Sequence, residues 1–70
     1  MSRLNPQKLL NSKWTATEPQ DKEKHFMVTK IIREDGQVLS CVLEAVHSRR
    51  KSTIAWAQLK NDGLWRMGWH

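Results

Sequence analysis

Phe26-Met27-Val28-Thr29-Lys30-Ile31-Ile32-Arg33-Glu34 and Gln37-Val38-Leu39-Ser40-Cys41-Val42-Leu43-Glu44-Ala45 are two alternating arms around the dipeptide Asp35-Gly36. Asp-Gly suits the type I′ turn that two-residue hairpins prefer, because both central residues need positive φ. With those two residues as the loop, Glu34 pairs with Gln37 and each residue i faces residue 71 − i. Ile32 then faces Leu39, Val28 faces Leu43 and Phe26 faces Ala45, a nearly all-apolar face. Arg33 with Val38, Ile31 with Ser40, Thr29 with Val42 and Met27 with Glu44 make up a mixed second face. A one-residue slip would scramble both. Lys30 is the misfit, since it lands on the apolar face opposite Cys41. Either the strand bends there, or Lys30 runs its stem along the core rim and leaves its ammonium in water.

Moving outward, Ser48-Arg49-Arg50-Lys51 reads as a second turn. Closing the chain there sets Ala45 opposite Ile54 and Leu43 opposite Trp56, which extends the apolar face onto a third strand. Beyond it, Ala57-Gln58-Leu59-Lys60-Asn61 reads as one helical turn ended by Asp62-Gly63. Trp65, Met67 and Trp69 alternate with Arg66 and Gly68, as a short last strand or an extended tail would. On the amino-terminal side, Lys13-Trp14-Thr15-Ala16-Thr17 is a candidate first strand, followed by a polar loop over Glu18–Lys24 that contains Pro19. Asn5 and Pro6 open a short helical turn, with Asn5 as cap and Pro6 at the first helical position, and Leu9 and Leu10 dock it. The fold class is mainly β. A small SH3-like barrel fits, as does a three-to-five-stranded antiparallel meander with packed ends. The expected core is Phe26, Val28, Ile32, Leu39, Leu43, Ala45, Ile54 and Trp56.

Seventy residues leave room for one domain, here 1–70 with an ordered body of about 5–69. Chains this short have difficulty building a stable core. One cysteine, Cys41, excludes an internal disulfide and fits a reducing compartment. Four tryptophans, Trp14, Trp56, Trp65 and Trp69, can replace many aliphatic residues, at roughly 150–250 Å² buried per large aromatic. The longest apolar run, Ile54-Ala55-Trp56-Ala57, is far short of the ~20 residues of a membrane span. No apolar leader follows the first residues. The expected location is the cytoplasm, with no membrane partner.

The sequence foreshadows no enzyme and no cofactor. His25, His47, His70 and Cys41 lack metal-binding spacing, and the register sends His25 and His47 to opposite faces. The acidic residues sit mostly in the Glu18–Glu23 loop and beside Asp35, and the glycines form no phosphate cradle. The charge of +5, from 12 basic and 7 acidic residues, is mild and serves solubility as well as anion binding. Non-catalytic binding remains. Tryptophan and arginine are enriched at interface hot spots, and a protein partner or homodimer is the leading reading. The alternative is nucleic acid, held by Arg49, Arg50 and Lys51 at a basic hairpin tip, with Lys13, Lys24, Lys30 and Arg66 elsewhere and an exposed indole for base stacking. Trp69 is the first candidate for that indole and Trp14 the second. The ordinary reading is a solvated tip and tryptophans in the core.

Ser12-Lys13-Trp14-Thr15, Lys24-His25-Phe26-x-Val28-Thr29, Leu43-Glu44-Ala45-Val46, Ile54-x-Trp56-x-x-Leu59-Lys60 and Trp65-Arg66-x-Gly68-Trp69 resemble the small tryptophan-rich proteins of proteobacteria and cyanobacteria. The resemblance runs from about Asn5 to Trp69. It implies a bacterial origin and a single domain of unknown function, and it transfers no activity, ligand or site.

Overall fold

A computed structural model of the chain describes residues 5–20 and 22–70. The chain folds as one antiparallel sheet of five strands: β1 (Lys13–Gln20), β2 (Glu23–Glu34), β3 (Gln37–Ala45), β4 (Lys51–Ala55) and β5 (Trp65–Met67). Their order across the sheet is β4-β3-β2-β1-β5. Two 3₁₀ turns, Pro6–Lys8 and Trp56–Lys60, are the only helical elements among the described residues. No helix there is long and apolar enough to cross a membrane. The mainly β reading holds. β4 and β5 are the outer strands of the sheet, and the second 3₁₀ turn, which links them in sequence, packs on β3 and β5.

The local signals at both ends act as expected. Asn5 accepts a hydrogen bond from the Gln7 N–H at 2.9 Å and caps the first turn, with Pro6 at its start. Only one leucine docks, however: Leu9 is 1% exposed while Leu10 points to solvent. At the central hairpin, Asp35 (φ +53°) and Gly36 (φ +78°) supply the two positive φ angles of a type I′ turn.

The arms of that hairpin depart from simple pairing twice. Phe26, Met27 and Val28 face Ala45, Glu44 and Leu43 as expected, and Arg33 and Glu34 face Val38 and Gln37. Between these blocks Lys30 faces Val42, Ile31 faces Cys41 and Ile32 faces Ser40. Thr29 is thus an extra residue on β2 and Leu39 an extra residue on β3. Each is a bulge, and the second cancels the first. The bulges resolve the misfit of Lys30 by bending the strand. Ile31, not Lys30, now packs opposite the fully buried Cys41, and Lys30 is exposed. Leu39, expected in the core, is an exposed bulge residue instead.

Two other expectations are corrected. The second turn is Val46–Arg49, two residues earlier than expected, closed by Ala45 N–H to Arg50 O at 2.9 Å. Cys41 therefore faces Ile54 and Leu43 faces Ser52, not Trp56. Arg49 takes the positive φ (+66°) that turns the chain, and Ser48 is drawn toward Glu23, a residue far away in sequence. The polar loop expected over Glu18–Lys24 is mostly strand. β1 runs to Gln20 through a register irregularity, where Pro19 has no N–H to offer the ladder, and β2 starts at Glu23.

The core lies on one face of the sheet. Leu9, Trp14, Val28, Cys41, Leu43 and Leu59 form its buried cluster, with Phe26, Ile31, Ile54, Trp56 and Trp65 packed around them. The two 3₁₀ segments close that face, one delivering Leu9 and the other Leu59. Trp14 is 2% exposed, and its Nε1–H donates to Ser12 Oγ at 2.8 Å, which satisfies the polar end of a buried indole.

Candidate nucleic-acid interface

An antiparallel sheet buried on one face offers the other to solvent, and pairing shows which side chains share it. Cross-strand partners point to the same side of a sheet. Lys13 pairs with Met27, Met27 with Glu44 and Glu44 with Lys51. One row, Lys13–Met27–Glu44–Lys51, therefore crosses four strands on the side away from the core. A parallel row holds Arg66, Thr15 and His25. Lys30 joins the same side through Val42, two residues from Glu44 on β3. Arg49 reaches this face too, with Nη1 3.4 Å from Glu44 Oε2. Lys24, Arg66, Thr15 and His70 line a shallow hollow at the β1 end. The face so assembled carries Lys13, Lys24, Lys30, Arg49, Lys51 and Arg66. The carboxylate within its rows, Glu44, is engaged by Arg49.

Trp69 sits in this cationic field with 43% of its surface exposed. Its Nε1–H donates to the Phe26 carbonyl at 2.9 Å, which fixes the ring. The His25 ring lies 5.8 Å away, tilted by 35°, and the Lys13 ammonium sits 4.9 Å from the indole centroid, a cation–π contact. The backbone around it is tied down as well. Gly68, at φ +86°, donates its N–H to Lys13 O at 2.7 Å. The buried Thr15 hydroxyl donates to Gly68 O at 2.7 Å and accepts from the His70 N–H at 3.0 Å. His25 Nε2 lies 2.8 Å from His70 O, and His70 Nε2 lies 2.7 Å from Met67 O. A carbonyl only accepts, so both rings carry a proton on Nε2.

The residues singled out in the sequence divide into three groups. Lys13, Arg49, Lys51, Arg66 and Trp69 share the outer face. Arg50 does not. It turns to the opposite side, where Nε lies 3.1 Å from Glu23 Oε2 and Nη2 bonds Oε1. Ser48 also donates to Glu23. The Arg50 fork, then the Ser48 hydroxyl, hold the Glu23 carboxyl below its ordinary value of 4.5 against the opposing effect of burial. Trp14, the second candidate for a stacking indole, is instead a core residue. His25 lies on the mixed face where the register put it, whereas Lys30, expected on the apolar face, reaches the outer face only through the bulge, and His70 reaches it through its bond to the distant Thr15.

The opposite side holds a groove of about 270 Å³ beside the Glu23–Arg50 pair. Phe26 and Trp65, packed edge to face at 5.1 Å, line it with Leu64, Glu18 and Gln58. Cys41 is buried, and burial pushes its thiol up. Among the described residues no group of three or more His, Cys, Asp or Glu side chains converges on a metal position.

A family model described as "Tryptophan-rich protein (DUF2389)" matches residues 12–70. The chain belongs to this family. Its function is unknown, and the matched segment contains all four tryptophans and the whole sheet. No curated protein and no solved structure matches the chain. The functional reading of this tryptophan-rich protein therefore rests on its own geometry.

Proposed function

We propose that this tryptophan-rich protein is a non-catalytic, cytoplasmic module that binds nucleic acid through the outer face of its sheet. One observation carries the reading: residues scattered from Lys13 to Arg66 meet on one face around a half-exposed indole. Polyphosphate backbones are bound by such cationic surfaces, and affinity falls with salt as counterions are released. Glu23 is occupied by Arg50 and Ser48, and Cys41 is sealed in the core, which supports a non-catalytic role for both.

The test is a fluorescence anisotropy titration of a labelled oligonucleotide at several salt concentrations. With a slope of about −0.7 per phosphate engaged on single strands, four or five contacts cost roughly a hundredfold in affinity over a fourfold rise in salt. Replacing Lys13, Lys51 and Arg66 together by alanine flattens that slope. Lys8→Ala, in the first 3₁₀ turn, leaves it unchanged. Equal losses from both variants would sink the assignment to this face.

A protein partner is the second reading, favoured by the groove beside Trp65. Its rim residue Leu64 is 48% exposed, and Met67 on β5 is 50% exposed. A Leu64→Asp variant that loses a co-purifying protein while keeping oligonucleotide affinity would move the assignment to that groove.

A further inference from the structure

We infer that the nucleic acid bound is single-stranded, with an unpaired base stacked on Trp69 and the adjoining phosphates held by Lys13, Lys24 and Arg66. This rests on the nucleic-acid reading above and adds the form of the ligand.

The argument starts from the ring. An indole left 43% exposed in a chain short of core material forgoes burial that the fold could use. Trp69 is nonetheless held in one place, by its Nε1–H bond to Phe26 O and by the His25 ring beside it. What covers it is the end of a flexible lysine, with Lys13 Nζ 4.9 Å from the ring centroid. An aliphatic stem can swing aside, and a base that takes its position meets a preformed aromatic surface. The displaced ammonium stays on the same face, within reach of the phosphate that accompanies the base. Every base has a π face, so such a platform tolerates sequence.

The hollow beside the ring supplies further cations. Lys24 and Arg66 line it with Thr15 and His70. Among the described residues, neither Lys24 nor Arg66 has a carboxylate partner. The Thr15 hydroxyl is committed to Gly68 O and the His70 N–H, so phosphate recognition falls to the two charged side chains. Arg66 and His25 flank Thr15 in one cross-strand row, which sets the hollow next to the platform. A duplex keeps its bases stacked inside and offers this ring nothing to stack on. A splayed single strand offers both groups at once.

The experiment compares three labelled probes of equal length: a single-stranded oligonucleotide, its abasic analogue and the corresponding duplex. The intact protein is expected to bind the base-bearing single strand roughly tenfold or more tightly than the abasic strand, the range of one stacked base. Trp69→Ala should abolish that preference, and Trp69→Phe should keep most of it because a ring remains. Lys13→Ala should weaken all three probes and preserve the order. Circular dichroism of each variant separates loss of stacking from loss of fold. Equal binding of all three probes, with a steep salt slope, would overturn the stacked-base inference and leave the basic-face reading standing. No binding of any probe at low salt would overturn both.

Discussion

Glu23 is 5% exposed, yet its carboxylate is fully employed by Arg50 and Ser48. Its lowered acidity has a definite sign for stability. A carboxyl whose folded value lies below its unfolded value contributes stability that is complete above the ordinary 4.5 and is lost as pH falls through the folded value. Arg50→Ala should therefore lower the thermal midpoint at neutral pH, and the gap from the unaltered protein should close in acid. A gap that persists unchanged in strong acid would mean that Arg50 acts by packing alone. Arg49, its neighbour in sequence, meets only the surface ion pair with Glu44, with 82% of its side chain exposed. Arg49→Ala should leave the midpoint nearly unchanged, since exposed pairs contribute about 0–1 kcal/mol. Two adjacent arginines are thus separated by melting curves, one fastening the fold and the other facing solvent. Cys41 gives a further check. Its buried thiol, pushed up by loss of solvation, should react with a thiol reagent only as the protein unfolds.

Between the strands, the paired bulges decide which leucine matters. Leu43→Ala, at a site 1% exposed, should cost about 2–5 kcal/mol in chemical denaturation, because a cavity adds to the lost transfer energy. Leu39→Ala, at a site 45% exposed, should fall within about 0.5 kcal/mol. Equivalent losses at the two positions would contradict the register. The reason this was only half legible in the sequence is physical. The Asp35-Gly36 turn is chemistry local to two residues, and it fixed the pairing of Glu34 with Gln37 and, beyond the bulges, of Phe26 with Ala45. Nothing local marks Thr29 or Leu39 as the residue to be extruded, since both are ordinary strand formers. Their exclusion answers a conflict between Lys30 and the core that only the packed sheet experiences. The second turn was displaced for a similar reason. The pattern of Ser48-Arg49-Arg50-Lys51 is turn-like, but the bonds of Ser48 and Arg50 to Glu23 span 25 and 27 residues.

Over the whole molecule, the two faces of the sheet divide the work. One carries the core, closed by Leu9 and Leu59 at the two 3₁₀ turns. The other gathers cations that the sequence spreads evenly along its length. The halves of the chain differ little in charge, at +2 and +3, so no basic block advertises the face. It becomes visible once register is known, which is why Lys13 and Lys51, 38 positions apart, belong to one cross-strand row. Trp69 was legible as a candidate for exposure from its place in the sequence, whereas Trp14 needed the fold to show it as core. The opposed bulges of β2 and β3 also bear on how such a chain can change length. Thr29 and Leu39 each stand between cross-strand pairs that are otherwise consecutive, so deleting either one alone leaves every other pair of the hairpin in place and only straightens the ladder at that point. Val28, Ile31, Cys41 and Leu43 keep the neighbours they have now in each single deletion and in the double one. Each single deletion should therefore still melt cooperatively, and a single deletion that unfolded the protein would contradict the pairing. Lineages that carry this hairpin would then be expected to lose or gain residues at these two points one at a time, with no compensating change on the facing strand.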